Sequence, residues 1–343
     1  MTPTILEKVS LQSYNSLALP AEAEYFCSVE NHSDLLAALA FARSRDMPVT
    51  PLGGGSNIVL AGDILGLVIL VNLKGVSSRL ENGSAYITFG AGENWHDQVQ
   101  HCLQQGWYGL ENLSLIPGNM GAAAIQNIGA YGVELGDLFV SLTAMNRLSG
   151  ELVEFDRAAC EFGYRDSLFK NAARDRYIIV DICLGLSLEP QLNIQYPALQ
   201  ALVDQHLATG AEITPELVST MVCQIRREKL PDPSITPNAG SFFKNPVISQ
   251  AKALQLAQQY PQMPRYAQAN GDSKVPAGWI IEQCGFKGRQ RGPVAVHQDQ
   301  ALVLVNLGGA SGAQVLALGE EVRTAVLEHF EIALEIEPRV YGA

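Results

Sequence analysis

The chain has 343 residues, of which 47% are hydrophobic and 17% charged, and its formal net charge is −12. This length predicts two or three globular domains, and the acidic balance argues against nucleic acid as a partner. The N-terminal residues lack a signal-peptide pattern and no apolar run approaches the ~20 residues of a membrane helix, so we expect a cytoplasmic protein without membrane insertion.

The charge is unevenly distributed along the chain. Residues 226–291 hold ten Lys or Arg and four Asp or Glu, a local charge of +6 that leaves −18 for the rest. This basic segment predicts a pocket for a small polyanion, with a solvated basic face as the alternative. The six cysteines form no Cys-x-x-Cys pair and the six histidines show no ligand spacing, so we expect free thiols and no metal site.

The first predicted elements are a strand over Ala23–Val29, an amphipathic helix over Ser33–Arg45 and a segment over Met47–Leu52. A glycine-rich loop follows, with the sequence GGGSN at residues 53–57. Three glycines can expose successive backbone N–H groups to a phosphate. The strand-like Ile58–Leu60 comes next, so the loop is not the Rossmann fingerprint, which requires a helix there. A hairpin turn is the alternative.

A second glycine-rich region follows predicted strands at Leu67–Val71 and Ala85–Phe89 and a helix at Trp95–Gln105. It extends from Leu115 to Glu134, and its small residues lie at positions 118, 121–124, 129, 130 and 132. Such residues leave room for a flat ring system against the backbone, as an isoalloxazine requires. Close packing of elements over Gly and Ala is the alternative.

Alternating apolar residues predict further strands at 139–146, 151–155 and 177–186. Between them lies Phe162–Lys170 with Arg165 at its centre. The fixed charge of an arginine suits stabilisation of negative charge that develops during a reaction, while a surface ion pair with Asp166 is the alternative. The later predicted elements are helices over 197–207, 215–229, 249–260, 276–284 and 311–330 and a strand over 301–305.

The stretch Asn238–Pro246 places a hydroxyl, an ammonium and an amide beside two aromatic rings. Gly240 permits close backbone approach to a ligand, and Pro246 disfavours a helix or central strand downstream. We therefore expect a short loop that displays its polar groups. A capped turn with two core phenylalanines is the alternative.

Two stretches carry a family resemblance: Ile225–Pro233 (IRREKLPDP) and Gly240–Pro246 (GSFFKNP). They resemble the UDP-N-acetylenolpyruvoylglucosamine reductases, flavoenzymes that complete UDP-N-acetylmuramic acid for peptidoglycan. The resemblance runs from about residue 14 to residue 342 and is to the larger form, which carries a tyrosine in an inserted segment. It implies an α+β chain with an FAD-binding fold of the vanillyl-alcohol-oxidase type in two lobes, and a smaller α/β substrate domain.

The resemblance implies non-covalent FAD, with NADPH as co-substrate. Neither glycine-rich region contains a His or Cys that could attach the flavin. Asn119 and Met120 depart from the residues more usual after Pro-Gly, so Asn119 is not assigned to the cofactor. The implied cofactor-binding residues are Gly53, Gly54, Gly55, Ser56, Asn57, Pro117, Gly118, Gln126, Asn127, Ile128, Ala130 and Arg226.

The implied catalytic residues are Arg165, Ser241 and Glu337. Hydride addition to C3 of the enolpyruvyl ether leaves a carbanion at C2, which Arg165 and a protonated Glu337 would stabilise and Ser241 would protonate. Glu335 and Glu337 share one face of a strand, so periodicity cannot choose between them. The spacing to the C-terminal Arg-Val-Tyr-Gly matches the family at Glu337, although Pro338 departs from the usual apolar residue.

The implied substrate-binding residues lie mostly in the basic segment. Lysines suit phosphates, and a tyrosine face can stack on uracil. These residues are Tyr164, Tyr196, Lys229, Asn245, Tyr266, Lys287 and Gln300.

We predict four regions: FAD-binding lobes at 1–72 and 73–220, a substrate-binding domain at 221–330, and a C-terminal strand at 331–343 that returns to the active site. We expect a monomer acting on small molecules. The alternatives are an FAD oxidase or dehydrogenase of the same fold with another substrate, and a flavin- or UDP-sugar-binding protein without turnover.

Overall fold

The computed structural model describes residues 3–268 and 270–342, which form two compact units. Unit 1 comprises the described part of Met1–Val9 together with Ala23–Gly54 and Leu65–Glu228. Unit 2 comprises Ser10–Glu22, Gly55–Ile64 and the described part of Lys229–Ala343. The finer division of the chain at residues 72, 220 and 330 stays a prediction.

The helices begin where the sequence supplies capping groups. Asn31 Oδ1 accepts a hydrogen bond from Asp34 N at 2.9 Å, and Ser311 Oγ accepts one from Gln314 N at 3.3 Å. The predicted helices are found within two residues of their expected ends. The α-helices of the described residues, including the short α3 and α4 that were not predicted, are in chain order α1 His32–Arg43, α2 Trp95–Gln104, α3 Met120–Ala123, α4 Leu135–Leu138, α5 Pro197–Leu207, α6 Pro215–Lys229, α7 Gln250–Gln259, α8 Ala277–Gln283 and α9 Gly312–Phe330.

Unit 1 contains two main sheets within the described ranges. One has the order β1-β2-β5-β3, with β3 and β5 parallel, and the other has the antiparallel order β11-β10-β12-β7-β6. Their strands are β1 Leu6–Ser10, β2 Glu22–Val29, β3 Val49–Leu52, β5 Ile64–Val71, β6 Val76–Glu81, β7 Ser84–Gly90, β10 Phe139–Asn146, β11 Leu152–Asp156 and β12 Tyr177–Ser187. A short pair joins β8 Gly129–Ala130 to β9 Val133–Glu134.

The core of unit 1 follows the alternation that the sequence predicts. Ala85, Ile87 and Phe89 of β7 are fully buried while their neighbours along the strand are only partly buried. Trp95 of α2 joins this core, and its indole N–H donates to Leu113 O at 2.8 Å. The second glycine-rich region thereby lies against the first turn of α2.

A smaller apolar cluster in unit 1 joins α5 to α6. Leu199 and Val203 of α5 pack in one group with Val218 and Val222 of α6, and all four are fully buried. This packing fixes the start of α5, which follows Tyr196, and the last turn of α6, which carries Arg226 and Lys229.

Unit 2 contains a sheet of order β13-β19-β18-β17 and a small sheet of order β14-β16-β15. The strands are β13 Asn238–Ser241, β14 Val247–Ile248, β15 Tyr266–Ala267, β16 Ser273–Lys274, β17 Gln290–Arg291, β18 Val294–Val296 and β19 Val303–Asn306. A parallel pair links β20 Arg339–Tyr341 to β4 Ile58–Leu60.

The expectation of a displayed loop at Asn238–Pro246 was wrong in part. Residues 238–241 form an edge strand, because Asn238 and Ser241 pair with β19 across an irregular register. Phe242 is fully buried against α9, where a Cβ at Gly319 would lie 2.8 Å from the Phe242 ring. The core-phenylalanine alternative therefore holds for the rings, while Ser241 remains partly exposed at the edge.

The six cysteines are free thiols, four of them buried, and burial raises the pKa of Cys27 to about 11. Within the described ranges no cluster of His, Cys, Asp and Glu has the arrangement of a metal site. The helices among the described residues are too short or too polar to span a bilayer.

Candidate active site

The glycine-rich loop at 53–57 is not a hairpin turn, because the strands on its two sides do not pair. β3 pairs with β5, whereas β4 pairs with β20. In unit 1, a Cβ on Gly54 would lie 3.0 Å from Gly118 Cα and 2.8 Å from Asn119 Oδ1, so the two glycine-rich segments approach backbone to backbone. In unit 2, Gly55 has φ +61 and a Cβ there would lie 2.0 Å from Tyr14 O, so only glycine fits.

The peptide of Leu115 is held on both sides at the start of the second glycine-rich region. Leu115 has a left-handed φ of +60, which is unusual for a residue with a side chain. Its N–H donates to His96 Nδ1 at 2.9 Å, and its carbonyl accepts from Arg226 Nε at 3.2 Å. This arrangement sets the direction of the chain entering Pro117 and Gly118.

Asn127 connects three segments of unit 1 through its side chain. The amide donates to Glu134 Oε2 at 2.8 Å and to Gly163 O at 3.0 Å, and Oδ1 accepts from Gly136 N at 2.8 Å. The residue is buried, and its φ of +45 suits asparagine better than most residues. Its side chain serves the fold, so any contact of Asn127 with a cofactor would use the backbone.

Arg165 occupies a strained position in a tight loop. Its φ is +52, and the loop is closed by reciprocal backbone hydrogen bonds between Gly163 and Asp166 at 3.1 and 3.2 Å. The guanidinium donates to Gly129 O at 2.7 Å and lies with its centre 5.8 Å from the Tyr164 ring. Non-glycine residues held in this backbone region cluster at functional sites.

Tyr131 is a site residue that the sequence reasoning did not select. Its ring meets Tyr196 edge to face at 5.1 Å, and its hydroxyl lies within electrostatic reach of the Arg226 guanidinium. Burial raises the pKa of Tyr131 and lowers that of Arg226, which also lies within electrostatic reach of Arg165. The structure thus gathers two predicted substrate or cofactor residues around Tyr131. The signal available was its place in the Gly-Ala-Tyr-Gly run at 129–132.

The segment before Tyr196 is tied to the same place by an asparagine pair. Asn112 Nδ2 donates to Tyr131 O at 2.9 Å and to Asn193 O at 2.7 Å, and Asn193 Nδ2 donates to Gly132 O at 3.1 Å. Asn112 is buried and lies in a short stretch that carried no motif. These bonds place Tyr196, which is 43% exposed, beside Tyr131.

In unit 2, the chain segments carrying Ser241 and Glu337 run side by side. Glu337 N donates to Phe242 O at 2.9 Å, and Lys244 N donates to Glu335 O at 3.0 Å. The Lys244 ammonium also pairs with the Glu335 carboxylate at 2.5 Å. Glu335 is therefore bound to Lys244, whereas Glu337 lies opposite the residue next to Ser241. The assignment of Glu337 as the catalytic carboxylate stays a prediction, which its place beside the Ser241 segment supports.

Two of the predicted substrate residues of unit 2 surround the start of α8. Asn245 Oδ1 accepts from Ala277 N at 2.9 Å, and a Cβ on Gly278 would lie 3.1 Å from Gln300 Oε1. Lys287, which follows α8, forms an ion pair at 3.0 Å with Glu282 of that helix. Tyr266 lies on the small strand β15, where it pairs with Lys274 of β16, and is 52% exposed. Lys229 is exposed at the end of α6.

Several cations of the basic segment are paired with carboxylates, most of which lie outside it. Besides the pairs of Lys244 and Lys287, Lys252 pairs with Glu331 and Arg291 with Glu321. The +6 charge of the segment is thus partly offset in the fold, so it does not mark a single polyanion pocket by itself.

Comparison with known proteins shows the family. The chain is 47% identical over 345 residues to UDP-N-acetylenolpyruvoylglucosamine reductase of Pseudomonas aeruginosa, covering 99% of this chain and 100% of the relative. It is 46% identical over 343 residues to the enzyme of Chromobacterium violaceum, with the same coverage. The chain belongs to the UDP-N-acetylenolpyruvoylglucosamine reductase family.

Two family models match separate parts of the chain. An FAD binding domain matches residues 23–156, and the C-terminal domain of UDP-N-acetylenolpyruvoylglucosamine reductase matches residues 232–341. The crystal structure of the Thermus caldophilus reductase is similar in fold, with a TM-score of 0.68 at 24% identity over 99% of both chains. The predicted family, the α+β FAD-binding fold and FAD as cofactor are confirmed.

The residues of unit 1 fit a flavin cofactor for a reductase of this family. A Cβ on Gly54 would lie 3.0 Å from Gly118 Cα, and Gly118 has a φ of +112, so both positions favour glycine. Arg226 supplies a partly buried cation whose pKa burial lowers, and such a group is suited to an electron-rich ring or a phosphate. The individual contacts assigned to the cofactor stay predictions.

Proposed function

We propose that this chain reduces the enolpyruvyl ether of UDP-N-acetylglucosamine to UDP-N-acetylmuramate, with NADPH as reductant and FAD as carrier, in peptidoglycan precursor synthesis. The observation that carries this proposal is the 47% identity over 99% of the chain to a reductase of that name. The side-by-side segments of Ser241 and Glu337 in unit 2 support it, because they bring the two residues onto neighbouring stretches of backbone.

FAD would be held through the backbone of the glycine-rich segments and by Arg226. When bound, FAD accepts a hydride from NADPH and passes it to the substrate. The lack of a His or Cys in both glycine-rich regions supports a non-covalent cofactor. The two hydrogen bonds at Leu115 hold the segment that leads into Pro117 and Gly118.

Arg165 is proposed to stabilise the charge that develops on the substrate. Hydride addition to C3 of the enolpyruvyl group moves the alkene electron pair to C2, and the adjacent carboxylate spreads this charge as an enolate. A guanidinium remains charged throughout and can bind a carboxylate with two parallel hydrogen bonds. Its strained backbone, with φ +52, supports a functional role. Glu337, in its protonated form, would donate to the same enolate.

Ser241 is proposed to deliver the proton to C2, which completes the reduction. A serine hydroxyl is a weak acid, so it can serve only against a strongly basic acceptor such as this enolate. The edge position of β13 leaves the Ser241 side chain partly exposed. Gly240 has φ +70 and open space around it, so no side chain obstructs the approach to the hydroxyl.

Tyr196 and Lys229 are proposed to bind the UDP-sugar. The edge-to-face contact of Tyr196 with Tyr131 supports a place for a planar base or sugar beside these rings. NADPH and the UDP-sugar are proposed to use one site in turn, because the sequence holds no second dinucleotide fingerprint. The predicted cytoplasmic location and monomeric state stay predictions.

A two-step anaerobic experiment tests the function. NADPH should bleach the flavin absorbance of the purified holoprotein, and the enolpyruvyl UDP-sugar should then restore it while other alkenes and oxidisable alcohols do not. Reoxidation by oxygen alone, with no response to the UDP-sugar, would favour an oxidase of the same fold. Absence of bleaching by NADPH would favour a binding protein without turnover.

A further inference from the structure

His96 contacts the Leu115 peptide through a ring nitrogen that must be unprotonated. Leu115 N–H is the donor in the 2.9 Å hydrogen bond, so His96 Nδ1 is the acceptor and Nε2 carries the ring proton of the neutral imidazole. An imidazolium has no acceptor nitrogen and could not form this bond.

The surroundings of His96 favour the neutral imidazole. The residue lies in the first turn of the ten-residue helix α2, where the helix dipole disfavours a cation. Burial lowers the pKa of His96 below its ordinary value; the Asp97 carboxylate opposes this shift, and the Arg227 and Arg226 cations add to it. Burial and the two arginines of α6 therefore favour the neutral imidazole, whose Nδ1 can accept the hydrogen bond from Leu115 N–H.

We propose that His96 is a positioning residue for the flavin: together with Arg226 it holds the Leu115 peptide in its left-handed conformation and so presents the segment at Pro117 and Gly118 to FAD. This inference rests on the proposed function. A left-handed conformation is costly for a leucine, so it needs both hydrogen bonds. Removing one of them leaves the FAD-competent conformation as a minor state, and the apparent affinity falls by that fraction.

The test measures the affinity of FAD-stripped protein for FAD by flavin fluorescence, together with the visible spectrum of the bound flavin. His96→Phe keeps a planar ring but offers no acceptor, and we expect its affinity to fall about tenfold at pH 8. His96→Asn can place Oδ1 near the position of Nδ1, so we expect it to bind within about threefold of wild type. His101→Asn, on the same helix and away from Leu115, is the matched control.

The pH profile separates positioning from simple structural damage. The accepting imidazole is fully present above the ordinary histidine pKa of about 6.5. It is lost as the pH falls through the lowered value, so wild-type affinity should weaken on acidification. His96→Asn cannot titrate and should lose this part of the pH dependence, while His101→Asn keeps it. The urea midpoint of each FAD-stripped variant reports whether it is folded, and the asparagine variant and the wild-type profile provide the test if His96→Phe does not fold.

Affinity of His96→Phe within twofold of wild type would overturn the proposal, as would a His96→Asn variant with the wild-type pH dependence. Tight FAD binding by wild type with no response to the UDP-sugar would instead contradict the proposed function and leave the role of His96 intact. Failure of the wild-type protein to bind FAD would overturn both.

Discussion

Replacement of Asn127 by alanine tests whether this residue serves the fold or the cofactor. The side chain makes three hydrogen bonds of 2.8–3.0 Å to Glu134, Gly136 and Gly163. Gly136 is buried, so its N–H would lose its partner and find no water, at about 1–3 kcal/mol. Each of the two lost donor contacts adds about 1 kcal/mol, and a left-handed alanine adds up to about 1 kcal/mol.

We therefore expect Asn127→Ala to reduce the free energy of unfolding by about 3–6 kcal/mol. Urea unfolding of FAD-stripped protein followed by circular dichroism measures this loss without a contribution from bound ligand. Asn171→Ala is the matched control, because Asn171 is exposed and donates to Asp166 Oδ1 at the surface, and its effect should stay within about 0.5 kcal/mol.

A loss below about 1 kcal/mol for Asn127→Ala would refute the reasoning from these hydrogen bonds. A variant of wild-type stability with weakened FAD affinity would show that the Asn127 side chain contacts the cofactor directly. The two measurements together therefore decide between a structural and a cofactor role.

Four further predictions concern the active site. Ser241→Ala should leave flavin reduction by NADPH unchanged and slow reoxidation by the enolpyruvyl substrate about 10²–10⁴-fold in stopped-flow, because a positioned acid is lost; reoxidation at the wild-type rate would exclude Ser241 as the proton donor. Tyr196→Phe and Lys229→Ala should raise KM more than they lower kcat, because a charged hydrogen bond to phosphate contributes roughly 1.5–3 kcal/mol to binding. An unchanged KM would contradict their role. Lys244→Met should slow reoxidation up to roughly fivefold, since the half-exposed ion pair of Lys244 with Glu335 contributes about 1 kcal/mol or less. If this pair acts as a unit, adding Glu335→Gln should cause no further loss. Acid precipitation should release yellow FAD into the supernatant, whereas flavin retained in the pellet would indicate a covalent link.

Much of the secondary structure could be predicted because its signals are local. α6 was predicted with its observed bounds, Pro215–Lys229, since a proline suits the first helical turn and Pro231 and Pro233 lie beyond the end. The bounds of α9 follow from the Ser311 cap and from the left-handed Glu331 after the last turn. The family could be recognised for the same reason, because its motifs are contiguous stretches of sequence.

The edge strand at Asn238–Ser241 was beyond such signals. Its residues are those of an ordinary turn, and only pairing with Val303 and Val305 of β19 makes them a strand. The choice between Glu335 and Glu337 was equally open, because both project from the same face of one segment. Only the backbone hydrogen bonds of Glu337 with Phe242 and of Glu335 with Lys244, together with the Lys244–Glu335 ion pair, bear on this choice, and they join distant parts of the chain.

The sequence by itself determined the helices, most strands, the family and the residue types of the candidate site. Tertiary structure decided how those residues are held: Arg226 and Leu115 are 111 residues apart, yet they share a hydrogen bond, and His96 accepts another from Leu115 N. Tyr131 and Asn112 acquire their roles in the same way. Periodicity and capping depend on neighbours within a few residues, whereas these contacts form only when packed helices and sheets bring remote backbone groups together.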